Sequence, residues 1–257
     1  MSDEQQTTSE GDTFISHLVE LRNRIMKASV AVIVVFLGLM PWAGKIYDFM
    51  AQPMMAALPV GSKMIATGVI TPFLIPVKVT LLVAFLIALP MVLYQAWAFI
   101  APGLYEHEKK LIAPLVVSSS ILFITGVAFC YFFVFGVIFK FINEFAPKSI
   151  AVAPDIESYF GFVMTLFIAF GVTFEVPIVV IVLVRLGLIT VEKLKAIRPY
   201  VIVGAFVIAA VVTPPDVMSQ LLLAVPICLL YEAGLLVAPL FARATQAPEE
   251  TVSEETT

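Results

Sequence analysis

Charge is scarce in this chain. Of its 257 residues only 13% are Asp, Glu, Lys or Arg, about half the share usual in soluble domains. Hydrophobic residues make up 61%, and mean hydropathy is +1.03. A soluble globule cannot hide that much apolar surface, so a water-soluble fold is excluded. Basic stripes are absent, and the net charge of −4 offers little to nucleic acid. Cys130 and Cys228 both lie inside apolar runs, without CxxC or metal-ligand spacing, and read as small buried hydrophobes. His17 and His107 are the only histidines. No metal site and no cofactor is expected. No GxxxxGK[ST] loop and no plausibly placed Ser/His/Asp set is present, which argues against an ATPase, an intramembrane protease and an enzyme in general. Internal repeats are missing as well, which counts against the inverted-repeat architecture of many secondary transporters.

The apolar residues are gathered into long runs. Residues 1–12 (MSDEQQTTSEGD) are acidic and polar, the opposite of a signal peptide's basic start, and are expected to lack fixed structure. The first apolar run is therefore expected to stay as a span. Phe14, Leu18, Leu21 and Ile25 recur at helical spacing, which predicts a short interfacial helix before it. Glu20 and Arg24, four apart, fall on one face of that helix. Spans are predicted at about 25–43, 73–100, 111–139, 159–184, 199–213 and 217–240. The stretch around Pro53, Pro59 and Gly61 is too apolar for a plain linker, and part of it is expected to be a helix along the outer face. Residues 185–198 read as a charged connection. The fifth and sixth spans look short for a hydrocarbon core. Residues 243–257 read as a disordered acidic tail, leaving 13–242 as one membrane domain.

This is an all-α integral membrane protein with six transmembrane helices. Six spans put both termini on one side. Ten of the fifteen cations (Arg22, Arg24, Lys27, Lys109, Lys110, Arg185, Lys193, Lys195, Arg198 and Arg243) then share that side. Lys45, Lys63, Lys140 and Lys148 lie opposite, and Lys78 sits within span two. The excess predicts an N-in, C-in orientation.

Chemistry concentrates at a few places. Trp97–Lys110 (WAFIAPGLYEHEKK) breaks two apolar runs with a Pro-Gly turn, an aromatic, two carboxylates and two lysines. With 17–24 (HLVELRNR) it is expected to form one cytoplasmic surface. There Glu20 and Glu108 can each accept a guanidinium's two parallel hydrogen bonds. The alternative is that each carboxylate pairs with its own neighbours, Arg22 or Arg24 and Lys109 or Lys110. Glu175 lies inside span four, two residues before Pro177, which frees a backbone carbonyl and can kink the helix. It marks either a hydrated or proton-linked cavity or a structural acid bonded to a nearby Ser or Thr. Glu232 stands in the same position nearer the cytoplasmic end. In Thr213–Gln220 (TPPDVMSQ), Asp216 is placed to cap span six, and Gln220 to bond a partner helix. Ser118–Ser120 suit close packing.

Six segments resemble the TatC family, the multispanning subunit of the twin-arginine protein translocase. They are HLVELRNR, the WAFIAPGLYEHEKK loop, SSSILF at 118–123, FGVTFEVP at 170–177, RPY at 198–200 and TPPDVMSQ, in order along nearly the whole chain. The resemblance implies a receptor in the bacterial cytoplasmic membrane for paired-arginine signal peptides of folded cargo, driven by the proton-motive force. It implies that Glu20 and Glu108 contact the arginine pair, with Arg22, Phe99 and Tyr105 beside them. It places Glu175 in a concave groove, and Thr213, Pro214, Asp216 and Gln220 where single-span partner subunits (TatA/TatB type) dock. Self-association in the complex is also implied. Glu106 is a local departure from the pattern. The rival expectation is a proton-coupled small-solute transporter working through Glu175.

Overall fold

The computed structural model describes residues 3–58, 63–100, 112–145, 153–213 and 216–241. Every regular element among them is helical. α1 (Asp3–Leu39) leads through a 3₁₀ turn (Met40–Trp42) into α2 (Ala43–Ala57). α3 is Thr71–Ile100. α4 (Ile112–Phe129) passes through a π turn (Cys130–Val134) into α5 (Phe135–Phe145). α6 (Ile156–Phe174) and α7 (Val176–Arg185) are two halves of one span, and α8 (Val191–Ala196) is a single short turn of helix. α9 (Arg198–Val212) and α10 (Val217–Phe241) complete the chain. Five helical stretches are long and apolar enough to cross a membrane, and α9 is a shorter apolar helix.

Three expectations change in detail. The interfacial helix and the first span are one uninterrupted helix, because neither proline nor glycine falls between Asp12 and Leu37. That helix runs from Asp3 to Leu39. Shortness belongs mainly to the fifth span: α9 has 15 residues, whereas α10 has 25 and continues through Pro226 and Pro239. The connection 185–198 is partly ordered. Gly187, at φ +70°, turns the chain after α7, and Thr190 caps α8 by accepting from Lys193 N. Leu194 is buried there, and its carbonyl accepts from Tyr231 Oη at 2.8 Å.

The core runs through α2, α3, α4–α5 and α6. Phe135, Phe160, Phe167 and Phe170 are fully buried in it. α4 and α6 approach closely where glycine allows: a Cβ on Gly126 would stand 2.5 Å from Phe170 O, and one on Gly171 would run into the Phe123 ring. α7, α8 and α10 form a second cluster around Val180, Leu194, Tyr231 and Leu235. Among the described residues α1 packs mainly on α3, and Ile33, Val34 and Leu37 face outward.

The ends of the spans opposite the α3–α4 connection are tied together. Ile65 pairs with Asp155 in a short parallel bridge. Asp155 accepts from Ser158 N, capping α6, and from Thr67 N and Oγ1. These bonds hold its carboxyl down to about 2, since they favour the charged form. Glu157 meets Thr71 Oγ1 and stands 3.8 Å from Lys78 Nζ. Tyr131 and Tyr159 donate to the α2 carbonyls of Phe49 and Met50.

Candidate functional site

At the other end, α1 meets the last turns of α3. Arg24 reaches back one turn, and its Nε and Nη2 both donate to Glu20 Oε1, at 2.8 and 2.6 Å. The i,i+4 spacing on one helix dictates that meeting. Arg24 Nη1 also lies 3.5 Å from Gln95 Oε1 on α3. One turn before Glu20, the His17 ring stacks on Phe99, with centroids 4.4 Å apart. Leu21, Arg24, Ile25 and Ala28 of α1 line an open cleft of about 240 Å³ with Val92, Gln95, Ala96 and Phe99 of α3. Of the two sequence alternatives for Glu20, the neighbour pairing is present, and the neighbour is Arg24. Arg22 points outward and touches Asn23 Oδ1 at 3.5 Å.

The structure brings Glu20 and Phe99 to one mouth, with Arg22 exposed beside it. Glu108 and Tyr105, with Glu106 and His107, lie outside the described residues. Their segment leaves α3 directly after Phe99 and Ile100 and rejoins at α4.

Glu175 sits at the break between α6 and α7, where Pro177 interrupts the helix as the sequence anticipates. It is 9% exposed, and neither carboxylate oxygen completes a hydrogen bond among the described residues. The Ser119 hydroxyl stands against it without reaching full hydrogen-bond geometry. Ser119 in turn accepts from Trp97 Nε1 at 3.0 Å. Trp97 packs with Ile112, Val116, Ile178 and Val182, which joins α3, α4 and α7 in one cluster. Sequence reasoning missed the Trp97–Ser119 bond and the place of Gln95. A buried indole needs an acceptor, and a lone amide inside an apolar run needs a polar neighbour; both were available as signals.

At the α9–α10 turn, Thr213 is buried and donates to Ala209 O at 2.7 Å. Asp216 accepts from Ser219 N at 2.7 Å, the capping role its position suggests. Gln220 is half-buried one turn into α10, and Pro214 lies outside the described residues. Glu232 pairs with Arg198 at 2.7 Å, joining α10 to the start of α9.

Fold and site define a multispanning helical membrane protein whose polar groups gather at helix ends and at one break inside a span. A family model described as Sec-independent protein translocase protein (TatC) matches residues 16–226, and the chain belongs to that family. The TatC protein of Haemophilus influenzae is 52% identical over 229 residues, covering 89% of this chain and 90% of that protein. That of Escherichia coli K12 is 51% identical over 221 residues, 86% of each. A crystal structure described as the twin arginine translocase receptor TatC superposes with a TM-score of 0.77 at 38% identity, covering 88% of this chain and all of that one. The chain is thus a protein translocase component of the bacterial inner membrane and not an enzyme.

Proposed function

We propose that this protein is the receptor subunit of a twin-arginine translocase. A signal peptide approaches from the cytoplasm, and its two arginines pair with Glu20 and Glu108, flanked by Arg22, Phe99 and Tyr105. Its apolar segment enters the groove near Glu175. Single-span partner subunits dock at Thr213, Pro214, Asp216 and Gln220, and the proton-motive force drives transport of folded cargo. Both termini lie in the cytoplasm. Six helices cannot line an opening wide enough for a folded protein, so the partner subunits must assemble around the receptor and its cargo.

What supports this reading most is the likeness to a crystal structure described as the twin arginine translocase receptor TatC, 38% identical and covering 88% of this chain. A carboxylate at the mouth of α1 and α3 already holds a guanidinium by two hydrogen bonds, so its geometry suits arginine. The transporter alternative is set aside, because the family is one of protein translocases.

Each charge-assisted bond is worth roughly 1.5–3 kcal/mol. Replacing Glu108 by Ala should therefore weaken binding of a paired-arginine peptide on the order of tenfold or more. Glu108→Lys should weaken it further, because it adds repulsion. Titration of the purified chain with labelled peptide measures both, and unchanged affinity in the lysine variant would refute the assignment.

A further inference from the structure

We infer that Ser119 is a positioning residue for Glu175: its hydroxyl, fixed by the Trp97 indole, is the donor that aims the carboxylate at the break in span four. The inference rests on the reading of Glu175 as part of the groove that receives the signal peptide.

α4 carries three serines in a row, and they spend their protons differently. Ser118 Oγ donates to Leu115 O at 3.0 Å, and Ser120 Oγ donates to Val116 O at 2.7 Å. Those are the two carbonyls, three and four residues back, that a serine at position 119 could reach on its own helix. A carbonyl oxygen has two lone pairs. Here the helical N–H four residues on takes one, and a neighbouring serine takes the other. Ser119 is fully buried, so it has no outlet to solvent. Its oxygen accepts from Trp97 Nε1 at 3.0 Å, which leaves its one proton to place.

The Glu175 carboxylate is the group that stands against that hydroxyl. Glu175 is buried too, and neither of its oxygens completes a hydrogen bond among the described residues. A buried donor in need of an acceptor therefore meets a buried acceptor in need of a donor. Trp97 restricts the choice further. The indole proton occupies one side of the Ser119 oxygen, so the hydroxyl proton has to leave on another. Trp97 lies two residues before Phe99, which stacks on His17. The chain from Trp97 through Ser119 to Glu175 thus starts beside the mouth of α1 and α3 and ends at the α6–α7 break.

The test reads the Trp97 Nε1–H proton by NMR. It uses the full chain, isotope-labelled at tryptophan and held in lipid nanodiscs, with Trp42→Phe leaving one indole. A hydroxyl that donates to a carboxylate is a better acceptor for the indole, so the three groups respond together. Glu175→Gln keeps the size but offers a neutral acceptor, and should move the Trp97 resonance upfield. Glu175→Leu offers no acceptor and should move it further. Ser119→Ala removes the indole's own partner and should move it furthest. A resonance that stays in place in both Glu175 variants overturns the inference, because a serine that only packs transmits nothing. Binding of a paired-arginine signal peptide supplies a second readout. Ser119→Ala should shift the affinity several-fold in the same direction as Glu175→Leu, and by nothing more once Glu175→Leu is present. Equal shifts in both backgrounds overturn the inference as well. A peptide indifferent to Glu175→Leu overturns the reading of the groove, while the Trp97 resonance still decides where the Ser119 proton goes.

Discussion

Glu20 and Glu175 are both carboxylates on apolar helices, and the fold treats them in opposite ways. Glu20 is half-exposed and held by a guanidinium, whereas Glu175 is buried at a helix break without a completed hydrogen bond among the described residues. The first arrangement follows from i,i+4 spacing and was legible from residues 17–24. The second was legible only as far as Pro177, because its polar neighbour Ser119 comes from α4, distant in sequence. Asp155 is a third case. Its carboxyl is held at about 2 by bonds to Ser158 and Thr67. A depressed folded value means that its stabilisation is full above the ordinary carboxylate range and is lost as pH falls toward 2. Asp155→Ala should lower the thermal midpoint in detergent at neutral pH and leave a smaller difference from the parent near pH 2. A constant difference across that range would contradict the capping account. Tyr231→Phe removes the buried bond to Leu194 O and should cost about 1 kcal/mol, read as a lower midpoint with the same peptide affinity.

At the scale of elements, the spans were legible because hydropathy alone defines them. The boundaries that moved are those set by tertiary contact. α8 forms inside a charged connection because Leu194 finds a pocket against α10, which no local pattern announces. The π turn at Cys130–Val134 likewise has no proline or glycine to signal it. The α4–α6 crossing depends on Gly126 and Gly171. Gly171→Ala drives a methyl into the Phe123 ring and should cost about 1–3 kcal/mol through overpacking; an unchanged melting midpoint would show that the ring moves aside freely. α9, with 15 residues, reaches only about 22 Å at 1.5 Å per residue, less than the ~30 Å hydrocarbon core. Bilayers of shorter acyl chains should therefore stabilise the protein relative to longer ones, measured by thermal unfolding in vesicles of graded thickness. A midpoint that rises steadily with chain length would contradict this.

For the whole molecule, family and fold were legible together because six short segments fall in one order along the spans. The carboxylate surface was legible only in part. Glu20 and Phe99 come to one mouth, while Glu108 and Tyr105 lie outside the described residues. The orientation proposed from the cation excess places both termini in the cytoplasm. A single cysteine at position 250, with Cys130 and Cys228 replaced by Ala, should react with an impermeant maleimide in inverted vesicles and not in spheroplasts. The opposite pattern would reverse the topology. The central claim is that the mouth of α1 and α3 receives paired arginines, and photocrosslinking from position 105 tests it most directly. Membrane vesicles carrying the probe in place of Tyr105 would be given a signal peptide with either two arginines or two lysines. Crosslinks formed with the arginine pair alone are the predicted result. Equal crosslinking with both peptides, or none with either, would contradict it.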